Sequence, residues 1–150
     1  MLNDDATSLE RHGIKPSAQR VAIARYVLHT QDHPSADEVW REVRRAFPIV
    51  SRATVYNTLK LFVEKGLLRQ LVLTEGRLVF DPKVDKHHHF IDEDSGKIYD
   101  LPWEAMQVSR VEQLEGFDVR DYQVLVRGKK RKTNPTHDPT FQRRKHENRR

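Results

Sequence analysis

Apolar residues recur at helical spacing through the first half of the chain, and residues that start or stop helices bound each run. The spacing predicts four helices, over residues 4–12, 17–30, 35–47 and 51–66. Ser17, Ser35 and Ser51 stand where an N-cap is needed, and Gly13 and Gly66 can end a helix in the left-handed conformation. The pattern therefore indicates a small helical core at the start of the chain.

Two short runs that read as strands follow the fourth helix. Leu67–Leu73 and Arg77–Phe80 flank a turn at Thr74–Gly76, which predicts a β-hairpin. Helices followed by a hairpin are the outline of a winged helix-turn-helix domain, in which the last helix enters the major groove of DNA. We therefore predict such a domain over residues 1–80.

The second half of the chain predicts a smaller mixture of strands and one helix. We expect a hairpin around residues 90–99, a helix from 102 to about 114, and a strand over 117–127 that bulges near 120–121. Residues 81–127 are too few to bury much apolar area alone, so we expect them to pair with a second copy as a dimerisation domain. The predicted fold class is α+β.

Charge divides the 150 residues into three parts. Residues 1–80 carry a net charge of +3, residues 81–127 a net −5, and residues 128–150 a net +7. A basic start and tail favour nucleic-acid binding, and an acidic middle favours cation binding. A soluble protein with a basic tail would show the same distribution. The last 23 residues are rich in charge and poor in apolar side chains, so we predict that they are disordered.

The composition excludes several classes of protein. The chain has no cysteine, so disulfides, thiol chemistry and a thiolate zinc site are impossible, and nitrogen and oxygen must hold any metal. No apolar run approaches the ~20 residues that a membrane span needs, and no signal-peptide pattern is present. We therefore expect a cytoplasmic protein with no membrane partner.

Three consecutive histidines, His87–His89, stand beside the second hairpin. Side chains alternate along an extended strand, so His87 and His89 share one face, and the hairpin returns Asp100 to that face. Two imidazoles and a carboxylate are part of a divalent-metal site. A solvated polar hairpin is the alternative explanation.

His33 and Asp81 are two further candidate ligands. His33 precedes Pro34 between the second and third helices, and Asp81 lies between the two halves; each is otherwise a loop or turn residue. If all of these residues meet, three imidazoles and two carboxylates would suit Fe(II), Mn(II) or Zn(II). Spacing alone leaves that convergence open.

The outer face of the fourth helix carries groups that can contact DNA. Arg52, Tyr56 and Lys60 lie four residues apart, with Asn57 beside them. Arginine can bind guanine, asparagine can bind adenine, and an aromatic edge can touch a thymine methyl. Arg52 and Lys60 could instead hold phosphates. A solvated helix face is the alternative, but the position before a hairpin favours DNA recognition.

The sequence resembles the ferric uptake regulator (Fur) family of bacterial metalloregulators over about residues 9–127. The residues that carry the resemblance are GIKPSAQR at 13–20, HPSADEV at 33–39, SRATVYNTL at 51–59, Phe80-Asp81, His87–His89 and GKIYD at 96–100. The resemblance implies a homodimeric repressor that binds a palindromic operator in double-stranded DNA. A regulatory metal would lie between the winged-helix and dimerisation domains. The implied ligands are His33, Asp81, His87, His89 and Asp100. Lys15, in a minor groove, and Tyr56 would touch DNA.

Asp100 is typical of the peroxide regulators (PerR) of the family, whereas iron-uptake regulators have Glu at that place. This likeness implies Fe(II) or Mn(II) at the regulatory site, with zinc able to replace them. It also implies that peroxide oxidises a histidine ligand of the iron form, His33 or His87, and releases DNA. Many members hold a structural zinc by two Cys-x-x-Cys pairs. Those places here are 92–95 and, roughly, 129–132, so no such zinc is expected.

Other interpretations stay open. An iron-responsive regulator (Irr) would use the histidine run with haem, and a plain iron or manganese uptake regulator would respond to metal alone. A metalloenzyme would need a general base and a substrate pocket, which the sequence does not offer. A metal-indifferent DNA-binding protein would keep its operator affinity without metal.

Overall fold

The computed structural model describes residues 2–73 and 76–132, which divide into two units. The first unit contains the residues up to His87 together with Pro102–Gln107, and the second contains His88–Leu101 and the residues from Val108 onward. The predicted turn residues 74–75 and most of the predicted tail, residues 133–150, lie outside the described part.

Four helices pack around an apolar core in the first unit. They are α1 (Leu2–Arg11), α2 (Ala18–Val27), α3 (Ala36–Ala46) and α4 (Arg52–Glu64). The largest fully buried side chains of this core are Leu9, Ile23, Val27, Val39, Val55, Leu59 and Phe62. All four predicted helices are confirmed, although α2 ends before Thr30. Among the described helices, none combines the length and apolar character needed to cross a membrane.

The predicted serine caps fix where the helices begin. The Ser35 hydroxyl accepts a hydrogen bond from the N–H of Glu38, and the Glu38 carboxylate accepts one from the N–H of Ser35 at 2.9 Å. Ser17 and Ser51 cap α2 and α4 with their hydroxyls in the same way. Gly66, with a φ of 79°, takes the left-handed conformation that ends α4. The caps satisfy backbone N–H groups of the first turn, and the helical period then places the apolar side chains on one face.

The predicted wing forms as a two-stranded antiparallel sheet of β1 (Arg69–Val72) and β2 (Leu78–Asp81). β1 is shorter than predicted, whereas β2 has the predicted length and lies one residue later. The N–H of Phe80 donates a hydrogen bond to the carbonyl of Pro34 at 2.9 Å. This contact ties β2 to the loop that carries His33, which brings that loop to the last residue of β2.

A three-stranded sheet forms most of the second unit. Its strands are β3 (His87–Asp92), β4 (Ile98–Pro102) and β5 (Leu125–Gly128), in the spatial order β4-β3-β5. The predicted β3–β4 hairpin is confirmed. β5 runs parallel to β3, with Leu125 opposite His89. The strand that carries the histidines is therefore the central strand of the sheet.

The predicted helix over residues 102–114 is wrong. Only two short 3-10 turns form there, at Trp103–Ala105 and Val111–Gln113, and Arg110 takes a positive φ of 66°. No side chain of this segment is buried, and Leu114 is 52% exposed. A short helix needs an apolar face packed against something, because hydrogen bonds alone do not stabilise it in water.

The predicted strand over residues 117–127 is also largely wrong, and the predicted bulge near 120–121 has no strand to interrupt. Pairing with β3 begins only where Val124 accepts a hydrogen bond from the N–H of His89 at 3.0 Å. Phe117 is 72% exposed. Alternation of residue types was present, but the sheet has no neighbouring strand for the first part of this segment.

Candidate metal centre and DNA-binding face

Three of the five candidate ligands lie together in the first unit, where two imidazoles face one carboxylate oxygen. Oδ2 of Asp81 lies 2.7 Å from Nε2 of His87 and 3.2 Å from Nε2 of His33. Oδ1 of Asp81 accepts a hydrogen bond from the N–H of Lys83 at 2.9 Å, which fixes the carboxylate. All three candidate ligands are buried, each with an exposure of 8% or less. A buried carboxylate requires a compensating positive charge, which a proton or a metal ion can supply.

The two ring nitrogens of His87 face different oxygens. Its Nδ1 lies 2.6 Å from the carbonyl of Asp85, and only a protonated Nδ1 can donate to a carbonyl. In the neutral ring, Nε2 then presents its lone pair to Asp81. A lone pair facing a carboxylate is favourable only when a proton or a metal ion lies between them. A ring nitrogen bonded to a carbonyl is also how metal-binding histidines are usually held.

The second unit brings the other two candidates together. Nε2 of His89, on β3, lies 3.5 Å from Oδ1 of Asp100, on β4. The His89 side chain is buried, whereas the Asp100 side chain is 32% exposed. The hairpin therefore returns Asp100 beside His89, as the alternation of the strand predicted.

His88 has a separate partner. Its Nδ1 accepts a hydrogen bond from the N–H of Val124 at 3.0 Å, and the ring of Tyr122 lies 6.4 Å away, centroid to centroid. Alternation predicted that His88 points away from its two neighbours, but it gave no sign of the bond to Val124. His88 therefore binds the segment that leads into β5.

Both units thus offer imidazole nitrogen and carboxylate oxygen, and the chain has no thiolate. Such donors suit Fe(II), Mn(II) and Zn(II) and disfavour soft metals. The residues present fit the class of ion that the sequence predicted.

The outer face of α4 is exposed. Arg52, Tyr56, Asn57 and Lys60 all face solvent, and Tyr56 is 50% exposed. The opposite face of the same helix packs into the core. An exposed row of this kind is available to a partner along the whole helix.

Arg52 is held by two neighbours on α3. Its guanidinium lies 4.4 Å from the centre of the Trp40 ring and 3.8 Å from Oδ1 of Asp37. Arg44 stacks on Trp40 as well, at 4.5 Å, and the indole N–H donates to the carbonyl of Val50 at 3.1 Å. These contacts restrict the Arg52 side chain at the first turn of α4. No local sequence pattern indicates these contacts, because they join different parts of the chain.

Lys15 is exposed in the linker before α2, and its carbonyl accepts a hydrogen bond from the guanidinium of Arg20 at 2.9 Å. Arg20 also lines a polar cleft of about 230 Å³ between α2 and α4, together with Gln19 and Asn57. Gln19 and Arg20 were not predicted as site residues, although they lie beside Asn57, which was.

A hydrogen bond and an ion pair connect the two stretches, 92–95 and 129–132, that the resemblance matches to Cys-x-x-Cys pairs. Oδ1 of Asp92 lies 3.3 Å from the N–H of Lys130, and Oδ1 of Asp94 lies 3.2 Å from the ammonium of Lys129. These contacts connect the β3–β4 turn to the residues after β5. They are a feature that the sequence did not predict.

Comparison with known proteins connects this geometry to one family. The model of the ferric uptake regulator family matches residues 11–127. The peroxide-responsive repressor PerR of Staphylococcus epidermidis is 34% identical over 131 residues, which cover 85% of this chain and 86% of that protein. PerR of Staphylococcus aureus is 33% identical over 129 residues, with 85% and 87% covered.

Solved structures give the same result for the fold. A zinc-bound manganese uptake regulator superposes with a TM-score of 0.63 at 29% identity, covering 86% of this chain and 98% of that one. The ferric uptake regulator of Pseudomonas aeruginosa with manganese superposes with a TM-score of 0.62 at 25% identity, covering 86% and 99%. The predicted fold class is confirmed.

Proposed function

Because the chain belongs to the ferric uptake regulator family, we propose that it is a metal-dependent transcriptional repressor that responds to peroxide. The observation that carries the proposal is the buried Asp81 carboxylate, whose Oδ2 faces Nε2 of both His33 and His87. The similarity to peroxide-responsive repressors at 33–34% identity supports the choice within the family. We place the protein in the cytoplasm, with its operator.

In this proposal one divalent ion is held by five residues. The ligands are His33, Asp81, His87, His89 and Asp100. Three of them already meet in the first unit and two in the second. A shared ion would connect the winged-helix domain to the dimerisation domain. The family relatives solved with zinc and with manganese support a divalent ion at this site.

The metal would act by favouring one arrangement of the DNA-binding domains in a homodimer. Two α4 helices must be spaced to match the half-sites of a palindromic operator. A ligand shifts such an equilibrium only by its differential affinity, and moving it from 1:99 to 99:1 takes about 5.5 kcal/mol. Ligands drawn from two domains bind the ion tightly only when both are in place, which gives the required difference.

We assign DNA recognition to the exposed face of α4. Tyr56, Arg52 and Asn57 would contact bases, Lys60 a phosphate, and Lys15 a minor groove. The stack of Arg52 on Trp40 supports this role, because a restrained guanidinium loses less entropy on binding.

Fe(II) held by the proposed ligands would supply the electron that activates peroxide, which Mn(II) does far less readily and Zn(II) cannot do. One peroxide oxygen would be added to an imidazole, and the other would leave as water. His33 and His87 are the oxidisable side chains that face Asp81, since the chain has no thiol. An imidazole that has gained oxygen is a poorer ligand. The site would then release its metal, and the dimer would leave its operator.

A haem-responsive regulator is the main alternative. The contacts of the consecutive histidines favour a metal site over a haem site. His87 contacts Asp81 and Asp85, and His88 contacts Val124. A regulator of iron or manganese uptake is a second alternative, which the manganese uptake regulator at 29% identity favours. The named relatives are regulators, and we do not assign an enzymatic activity.

Peptide mass spectrometry after a brief peroxide pulse tests the proposal. The Fe(II) form should gain one oxygen on His33 or His87 and lose operator binding, and the Mn(II) form should do neither. No oxygen on any histidine, together with release of DNA by haem, would replace the proposal by the haem-responsive alternative. Release of DNA by chelator but not by peroxide would favour the uptake regulator.

A further inference from the structure

β5 is a short strand at the edge of the sheet. Its pairing with β3 covers only Leu125–Gly128. A four-residue parallel pairing is weak by itself, because parallel ladders are slightly less stable per residue than antiparallel ones. Side chains of β3 hold the chain at both ends of this pairing. The His88 ring accepts a hydrogen bond from the N–H of Val124 before β5 begins. The Asp92 carboxylate accepts one from the N–H of Lys130 after β5 ends.

The Asp92 carboxylate makes three hydrogen bonds. Oδ2 accepts one from the Ser95 hydroxyl at 2.6 Å, and Oδ1 accepts one from the N–H of Asp94 and one from the N–H of Lys130, each at 3.3 Å. Asp92 is only 8% exposed. One carboxylate thus joins the β3–β4 turn to the residues that follow β5.

Neighbouring contacts reinforce the same connection. The N–H of Glu93 donates to the carbonyl of Gly128 at 2.8 Å, and the Lys130 ammonium lies 4.4 Å from the centre of the Tyr99 ring. The hydroxyl of Ser95, together with the backbone N–H groups, holds the pKa of the Asp92 carboxyl below its ordinary value, although burial opposes this effect. Asp92 is therefore charged in the folded protein at neutral pH, which strengthens the bonds it accepts.

We propose that Asp92 is a positioning residue of the metal centre, which fastens β5 to β3 and so fixes the backbone of His89. The inference rests on the proposed function, because His89 is one of the ligands assigned there. The N–H of His89 donates to the carbonyl of Val124, immediately before β5, at 3.0 Å. Without β5, β3 would become an edge strand and His89 would lose this support. A metal site tolerates only about 0.5 Å of ligand displacement.

Three variants of the full chain separate the hydrogen bonds of Asp92 from its charge. Asp92→Ala removes all three bonds. Asp92→Asn keeps an oxygen for the N–H groups of Lys130 and Asp94, and its NH₂ can donate to the Ser95 hydroxyl. Asp94→Ala is the matched control from the same turn, because its ion pair with Lys129 joins side chains that are 65% and 70% exposed and contributes little.

Amide exchange and Co(II) binding are the two measurements. In Asp92→Ala we expect the Lys130 amide to exchange much faster, Co(II) affinity to fall about 10–100-fold, as for other residues that support ligands, and the visible Co(II) spectrum to change. Asp92→Asn should restore all three properties, and Asp94→Ala should match the wild type. The spectrum is decisive, because a purely structural role would leave it unchanged.

Two results would overturn the inference. One is a Lys130 amide that stays protected in Asp92→Ala. The other is an Asp92→Ala protein that loses thermal stability but keeps the wild-type Co(II) spectrum and affinity. Failure of the wild type to bind Co(II), Mn(II) or Fe(II) would instead remove the proposed function, and with it the role of Asp92 at a metal centre. The exchange of the Lys130 amide would still test whether Asp92 fastens β5.

Discussion

The two units of this molecule bury apolar and polar side chains in very different proportions. In the described residues, every buried hydrophobic side chain except Ile98 lies in the first unit. The other buried residues of the second unit are His88, His89 and Asp92. An apolar core stabilises a domain by itself, whereas a polar interior depends on satisfied hydrogen bonds and on partners.

The difference indicates where the protein can respond to a signal. A domain with its own core keeps its shape when a ligand leaves. The second unit also exposes Leu114 and Phe117, at 52% and 72%, and such side chains are what a second copy would cover. We therefore expect dimerisation to depend on the second unit, while the apolar core of the first unit, which also holds three of the candidate ligands, keeps a constant DNA-binding surface.

The largest expected effect comes from breaking the apolar core. Phe62→Ala should lower the free energy of unfolding by ~3–5 kcal/mol, because it removes a fully buried ring. Phe117→Ala, which changes the same residue type in the second unit, should alter it by less than about 0.5 kcal/mol in the monomer. Urea denaturation at low protein concentration measures both.

Sedimentation after exhaustive chelation extends the same test to the dimer. The wild type should stay dimeric without any structural zinc, and Phe117→Ala should dissociate more readily. Equal costs for the two phenylalanine changes, or a chelated wild type that stays a folded monomer even at high protein concentration, would contradict the contrast between the units.

The next largest expected effect is on metal affinity. Asp81→Ala should weaken Mn(II) binding by about 100-fold, or about 2.8 kcal/mol, because it removes the carboxylate that faces two buried histidines. Asp85→Ala is the control, since that side chain is exposed in the same loop and only its carbonyl contacts His87. Calorimetric titration measures the Mn(II) affinity of both variants. Equal affinities would contradict the role of Asp81 as a ligand.

A smaller effect tests the DNA-binding face of the first unit. Tyr56→Ala should cost ~1–3 kcal/mol on operator DNA and lower the ratio of operator to random affinity. Lys60→Ala, on the same exposed face, should weaken both kinds of DNA alike, as expected for a phosphate contact. An unchanged ratio in Tyr56→Ala would remove its role in sequence recognition.

The smallest expected effect is on the stability of the protein at acid pH. The folded pKa of Asp92 is depressed, so its contribution to stability is complete above the ordinary carboxyl pKa, about 3.9, and is lost as the pH falls through the lower folded value. Asp92→Asn should therefore differ least from the wild type at the acid end of a denaturation series. A difference that grows as the pH falls below about 4 would have the wrong sign.

The sequence predicted the first unit well because its signals are local. The Ser35–Glu38 capping box and the spacing of Val55, Leu59 and Phe62 lie within single helices, and the core they predict is present. The ligand types of the candidate site, and the return of Asp100 beside His89, also follow from alternation within one hairpin.

The remaining features depend on contacts far apart in the chain. The helix over 102–114 and the strand over 117–124 failed because none of their apolar side chains is buried within the described part of one chain. The bonds from Val124 to His88 and from Lys130 to Asp92 span 36 and 38 residues and end on backbone N–H groups. Every residue except proline has such a group, so no residue pattern could mark them.

Operator binding with and without metal tests the central claim most directly. A duplex selected from a random library by the Mn(II)-loaded protein would serve as the operator, and fluorescence anisotropy would give its affinity. We predict a two-fold symmetric site, bound at least about 100-fold more tightly with Mn(II) than with chelator, a difference of about 2.8 kcal/mol. Equal affinity in the two conditions would contradict the account and leave a DNA-binding protein that is indifferent to metal.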